Sequence, residues 1–293
     1  MSAYKARLIA DHICSSLPPS DGHEEGGKKR RPLFVGMQGP QGSGKTTVTS
    51  MVAERLKGKG LSPVVMSLDD LYLSHDELVE LARNSPTNKL LHGRGQPGTH
   101  DMRLGSDVLR SLSTINGDQT TVLLPVFDKS LHAGQGDRSK ATVRVSSPVD
   151  VVIFEGWCLG FLPIPPQELE KRYAGDIGAR KQYFSAHQLA SLSDINERLQ
   201  AYTEWYGYLD AFVQLVPRDI NDVFAWRLQA EHNMISSGKE GMTDQEVHDF
   251  VARYMPGYEL FSSGVNGKDT PWSGRGMALT IDANRDVLSV ERF

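Results

Sequence analysis

Gly39-Pro40-Gln41-Gly42-Ser43-Gly44-Lys45-Thr46 matches the pattern G-x-x-x-x-G-K-[ST] at every fixed position. Before it, Pro32-Leu33-Phe34-Val35-Gly36-Met37 reads as a short apolar strand, and after it residues 46–56 read as a helix. The order strand, glycine loop, helix is the context that the pattern requires, and an incidental glycine turn would not need it. Gly39, Gly42 and Gly44 let the backbone turn its amide hydrogens inward around an anion. The helix adds the positive end of its dipole, Lys45 a full charge for the β- and γ-phosphates, and the Thr46 hydroxyl a ligand for magnesium. Residues 39–47, including Pro40, Gln41, Ser43 and Thr47, are therefore expected to bind ATP.

The whole chain bounds what such a site serves. Its 293 residues are 39% hydrophobic and 23% charged, which suits a globular protein with a substantial core. A formal charge of -4 lacks the basic excess of a nucleic-acid-binding surface, so no nucleic-acid partner is expected. The two cysteines, Cys14 and Cys158, lie in no metal or redox spacing, and a reducing intracellular setting fits. No apolar run approaches the ~18 to 20 residues of a membrane span. A soluble, cytoplasmic protein is expected. Lys28-Lys29-Arg30-Arg31 leaves the nucleus open, although four basic residues ahead of a strand also read as solvated linker. The predicted layout is an N-terminal helix over 1–17, a flexible polar linker over 18–32, and one domain over 33–293.

Further strands are predicted over 62–68, 121–125, 142–145, 150–155 and 212–216. Helices are predicted over 74–83, 102–112, 194–210, 221–237 and 243–254. Ser74 with Glu77, and Thr243 with Glu246, have the spacing of capping boxes. A terminal hairpin is predicted over 279–282 and 287–290, turning at Ala283-Asn284-Arg285-Asp286. Strands alternating with helices imply a parallel α/β sheet, whose ligands bind outside the carboxyl ends of the strands. The glycine loop, Asp69 and Glu155 all fall at such ends.

Phosphoryl transfer needs a phosphate cradle, a metal ion, a base for the acceptor, and positive charge. Asp69 is the candidate base, ahead of its neighbour Asp70. Glu155 ends a hydrophobic strand, where a carboxylate needs either magnesium or a structural lysine as partner. The long glycine-hinged loop 84–101 carries Arg94 and His100, and Lys129 and Arg138 follow in sequence, all suited to a small anionic acceptor. Asp70, Tyr72 and Asp128 complete the acceptor-side candidates. Arg227, with Lys239 beyond it, reads either as the cationic edge of a lid that stabilises transition-state charge or as an i,i+4 partner of Glu231. Asn284 and Arg285 read either as contacts to the nucleotide base or simply as turn residues.

Several motifs together resemble the D-glycerate 3-kinase family, and most closely its fungal ATP-dependent kinase members. They are the glycine loop, Ser67-Leu68-Asp69-Asp70-Leu71-Tyr72, Arg94-Gly95-Gln96-Pro97-Gly98-Thr99-His100-Asp101, Phe127-Asp128-Lys129-Ser130 with Gly136-Asp137-Arg138, Phe154-Glu155-Gly156-Trp157, and Trp226-Arg227-Leu228-Gln229-Ala230-Glu231. Gly241-Met242-Thr243-Asp244 and Arg253-Tyr254-Met255-Pro256 extend the likeness, which spans about residues 33–262. Wider relatives are uridine kinase, phosphoribulokinase and bacterial pantothenate kinase. The resemblance implies a P-loop NTPase fold, a three-layer α/β/α sandwich with a mainly parallel sheet and a helical lid. It implies ATP and Mg2+ as cofactors, Asp69 as base, Glu155 as magnesium helper, and a small hydroxy acid such as D-glycerate as acceptor. A uridine- or pantothenate-type acceptor, or a nucleotide-gated binding protein without turnover, are the alternatives. The N-terminus does not resemble the plastid-targeting extension of the plant members, so plastid location is not expected.

Overall fold

Leu33, Val35 and Met37 pack into one buried cluster and Phe34 into another, so the first strand separates two apolar layers. That alternation, with both faces covered, is what a central strand of a parallel sheet requires. The computed structural model describes residues 2–18, 30–117, 120–175, 183–238 and 241–293.

In chain order the elements are α1 (Ser2–Ser16), β1 (Leu33–Gln38), α2 (Lys45–Gly58), β2 (Pro63–Ser67), α3 (His75–Asn84), α4 (Met102–Ser113), β3 (Thr121–Asp128), β4 (Asp137–Ser146), β5 (Val151–Gly156), α5 (Pro166–Ala174), α6 (Leu189–Tyr206), β6 (Ala211–Pro217), α7 (Asp222–Ser236), α8 (Asp244–Ala252), α9 (Met255–Phe261), β7 (Gly276–Ile281) and β8 (Val287–Arg292). The main sheet has the order β2-β5-β1-β6-β7-β8. All its pairings are parallel except β7 with β8. A separate antiparallel pair, β3 with β4, stands beside it. One layer includes α1 and α2; the other includes residues of α4, α6 and α9. The expected three-layer α/β/α arrangement is the observed one.

Several local expectations shift. The strand expected over 142–145 is part of the longer β4, whose middle is exposed and charged enough to hide the apolar alternation. The helix expected to open at Asp194 begins at Leu189, because Gln188 starts it without any side-chain cap to mark the place. The helix expected over 243–254 is two: α8 stops at Ala252, and α9 resumes at Met255 with a proline in its first turn. The terminal hairpin joins the main sheet through β7, which pairs parallel with β6.

The N-terminal helix is part of the body. Ala6, Ile9, Ala10 and Ile13 of α1 are buried against the sheet and α2, each isoleucine contributing about 1.5–3 kcal/mol. Of the linker expected over 18–32, residues 19–29, including Lys28 and Lys29, lie outside the described residues. Beyond them Arg31 pairs with Asp210 at 2.8 Å. Among the described residues no helix is long and apolar enough to cross a membrane.

His12 anchors α1 as a neutral group. Its Nε2 faces the Arg275 carbonyl at 3.2 Å, and its Nδ1 accepts from Arg292 at 3.2 Å. Burial, assisted by the Arg292 charge, holds the ring below its ordinary value of 6.5. On acidification the unfolded chain therefore takes up the proton first, and stability falls as pH drops below 6.5. Thermal unfolding between pH 7.5 and 5 should show this loss, with a smaller drop in His12→Gln, which keeps a donor near Arg275. An equal pH dependence in the two proteins would dismiss the role of His12.

Candidate active site

β1 ends at Gln38, and the next residues turn over the N-terminus of α2. Gly42 and Gly44 have φ of 72° and 85°, a left-handed backbone that favours glycine. At Gly42 space is also limiting, since a Cβ there would lie 2.6 Å from the Trp226 Cβ. The Pro40 carbonyl gathers donors from across the turn: the Ser43 amide at 3.3 Å, the Ser43 hydroxyl at 2.7 Å and the Lys45 ammonium at 3.0 Å. The amides of Gly42, Gly44, Lys45 and Thr46 have no hydrogen-bond acceptor among the described residues. Free amides in the loop and at the helix N-terminus, with an ammonium beside them, form an anion cradle. Thr46 and Thr47 are exposed at the start of α2, and Gln41 donates its amide to the Tyr258 hydroxyl at 3.2 Å.

The parallel register aligns the acids with this cradle. Glu155 on β5 lies opposite Met37 of β1 and opposite Ser67 of β2. The Ser67 hydroxyl donates to Glu155 at 2.8 Å and accepts from the Asp69 amide at 3.3 Å. One serine thus links the two candidate acids. Burial pushes the Glu155 carboxyl above its usual range against the pull of Lys45, while burial also lowers the Lys45 ammonium. Glu155 and the exposed Thr46 hydroxyl are hard oxygen donors. Among the described residues no group of three His, Cys, Asp or Glu forms a protein-only metal cage. A magnesium ion that shares its shell with triphosphate oxygens needs only one or two such ligands, so the residues present fit it.

Asp69 sits in a 3₁₀ turn, Leu68–Leu71, that follows β2. Its Oδ1 accepts from the Tyr72 hydroxyl at 3.0 Å and its Oδ2 from the Lys129 ammonium at 2.5 Å. Burial alone would raise its carboxyl, yet Lys129, His100 and Tyr72 bring it below the ordinary range, so it is ionised at neutral pH. Asp70 turns away and accepts the Phe127 amide at 3.0 Å, tying the turn to β3.

His100 is buried and stacks on Tyr72 with centroids 4.4 Å apart. Its Nδ1 lies 2.6 Å from the Tyr202 hydroxyl, which already accepts from the Gly98 amide. The hydroxyl keeps one donor and one acceptor position toward Nδ1, so both tautomers of the neutral ring fit this contact. The other nitrogen, Nε2, has no partner among the described residues. Burial lowers the imidazole to about 3, so the ring is neutral at working pH.

Other candidates have structural partners. Arg94 donates to the carbonyls of Gly134 and Gln135 and lies over the Phe127 ring. Asp128 accepts from the Ser130 amide and hydroxyl at the hairpin tip. Arg138 bonds to Asp101 at 2.9 Å, fixing the residue that caps α4. Arg227 pairs with the buried Glu231, the i,i+4 alternative read from the sequence, and lies over Phe250. Its backbone nevertheless borders Gly42. Lys239 lies outside the described residues.

Three residues not singled out above help build the site. Trp157 donates to the Gly95 carbonyl at 2.9 Å and packs edge-on against Tyr254 and Tyr258. Tyr258 reaches the phosphate loop, and Tyr202 holds the Nδ1 of His100. Their partners lie 62 to 217 positions away in sequence, so no local spacing could have revealed them.

A glycine cradle followed by a helix on a parallel sheet, with an ionised acid beyond the cradle, defines a P-loop phosphotransferase. No protein-family model matches the chain. The D-glycerate 3-kinase structure from Cryptococcus neoformans var. grubii superposes with a TM-score of 0.91 at 41% identity, covering 98% of this chain and 99% of that one. The probable ATP-dependent kinase TDA10 of Saccharomyces cerevisiae is 38% identical over 89% of this chain and 88% of its own. The chloroplastic D-glycerate 3-kinase of Arabidopsis thaliana is 35% identical over 88% of this chain, which spans 54% of the plant protein. The chain belongs to the D-glycerate 3-kinase family of ATP-dependent kinases, enzymes with an alcohol group as acceptor.

Because Gly42 has both a left-handed backbone and no room for a Cβ, Gly42→Ala should weaken binding of a non-hydrolysable ATP analogue by about tenfold or more. Calorimetry that finds wild-type affinity would show the loop tolerates the methyl group.

Proposed function

We propose that the chain transfers the γ-phosphoryl group of ATP to a hydroxyl of D-glycerate, giving 3-phosphoglycerate, or of a similarly small hydroxy acid. The observation that carries this reading is Asp69, an ionised carboxylate coupled to Lys45 on the donor side and to Lys129 and His100 on the other. Positive charge beside the base suits an acceptor that brings a carboxylate next to its hydroxyl. The relatives named D-glycerate 3-kinase support the same choice.

In this mechanism Lys45 and the free loop amides hold the triphosphate. The acceptor carboxylate draws Lys129 away from Asp69, and Asp69 Oδ2 then takes the proton of the acceptor hydroxyl as its oxygen attacks the γ-phosphorus. ADP leaves, with the charge on its β-phosphate met by Lys45 and the helix N-terminus. Thr46 and Glu155 would hold a magnesium ion, which would neutralise phosphate charge there. Arg94 adds positive charge at the rim of the acceptor side.

Coupled detection of ADP against a panel of acceptors tests the reading. D-Glycerate should support turnover, and failure of glycerate where uridine or pantothenate succeeds would overturn it. ATP binding with no acceptor-stimulated turnover would instead favour a nucleotide-gated binding protein. Asp69→Asn should lower kcat by about a hundred- to ten-thousand-fold, the usual span for losing a general base, and Lys45→Ala should abolish transfer. Wild-type turnover in Asp69→Asn would remove the base assignment.

A further inference from the structure

The carbonyl of Gly42, in the middle of the phosphate loop, accepts from Nε of Arg285 at 2.6 Å. Arg285 comes from the turn between β7 and β8, 243 positions further along the chain. Its own backbone is left-handed, with φ of 65°, an uncommon conformation for a residue that carries a side chain. The turn is held there by the Arg285 and Asp286 amides, which donate to the backbone and side chain of Asp282 at 2.8 Å each.

The guanidinium is fixed on its other sides as well. Nη2 donates to Gln229 at 3.0 Å, and the planar group lies 5.4 Å over the Trp226 ring. Trp226 in turn donates to the Ala283 carbonyl at 2.7 Å and presses its Cβ against Gly42. A second brace comes from the opposite end of the chain: Lys5 of α1, 2% exposed, donates its ammonium to the Arg285 carbonyl at 2.7 Å. Burial pushes that ammonium below its ordinary value while Asp286 and Asp282 work against the shift.

These contacts converge on one peptide group. In a trans peptide the carbonyl and the next amide point in opposite directions. Holding the Gly42 oxygen outward therefore aims the Ser43 amide back across the loop, where it meets the Pro40 carbonyl at 3.3 Å. Release of the Gly42 oxygen would let that peptide rotate and spoil one wall of the cradle.

We propose that Arg285 is a positioning residue of the ATP site that sets the Gly42–Ser43 peptide, and that Lys5 locks Arg285, so that docking of the N-terminal helix and binding of ATP are coupled. Linkage makes the coupling reciprocal: what α1 does for nucleotide affinity, nucleotide does for α1.

Calorimetry with a non-hydrolysable ATP analogue on the full chain tests this without an acceptor, so a wrong acceptor assignment would leave the result intact. Arg285→Gln should raise the Kd by about tenfold or more, the effect expected for losing a charge-assisted hydrogen bond. Arg285→Lys should fall between the two, because lysine keeps one charged donor for Gly42 but cannot also reach Gln229. Lys5→Met should weaken binding in the wild-type background and add little to Arg285→Gln. In steady-state assays the KM for ATP should rise while that for the acceptor stays unchanged. Amide exchange over residues 2–16 should slow when the analogue is added to the wild type and much less in Arg285→Gln. An unchanged Kd in Arg285→Gln, or equal losses for ATP and acceptor, would overturn the proposal. Additive effects of Lys5→Met and Arg285→Gln would sever the link to α1.

Discussion

The parallel register of β2, β5 and β1 is the constraint on which the site depends. Pairing Met37 with Glu155 and Ser67 with Glu155 brings three strand ends to one rim, so the phosphate loop and both acids leave the sheet side by side. A slip of one residue in β5 would turn Glu155 to the other face of the sheet and remove it from Ser67. The two apolar layers prevent that slip. Val152 and Phe154 belong to one buried cluster and Val151 and Ile153 to the other. The same packing that makes the sheet stable therefore keeps the chemistry in register.

Around that rim the polar groups divide into those that hold the frame and those left to act. Asp70, Arg138 and Glu231 spend their charges on a backbone amide, a helix-capping aspartate and an arginine respectively. The loop amides and His100 Nε2 keep hydrogen-bonding capacity that the described residues do not use. Asp69 is intermediate, since its partners Tyr72 and Lys129 are groups we propose for the acceptor side. Buried polar groups without partners are costly in an ordinary interior and are most readily tolerated where a ligand will meet them.

How much of this was legible depended on range. The glycine loop was readable because its determinants are local: left-handed glycines, a strand before and a helix after. Glu155 was readable because an acid at the end of a hydrophobic strand is anomalous. The pairing of Arg227 with Glu231 was visible as an i,i+4 spacing, although the sequence could not choose between that and a free guanidinium. By contrast, nothing near Arg138 announces Asp101, and nothing near Asp70 announces the Phe127 amide, because each contact is made by the fold. The same holds for α1. Its apolar spacing predicted a helix, but only the burial of Ile9 and Ile13 against the sheet shows that it belongs to the body.

The Pro40 carbonyl bears on how the site fills. It holds the Ser43 amide, the Ser43 hydroxyl and the Lys45 ammonium at once, tying three donors of the loop to a single backbone oxygen. The loop's shape is thus braced by its own backbone, and a phosphate oxygen that meets Lys45 would take the place of the Pro40 oxygen there. The loop amides without acceptors would gain bonds to such an anion, Lys45 would exchange one, and the charge part of the attraction is what mobile ions screen. Occupancy of the loop should consequently weaken as ionic strength rises.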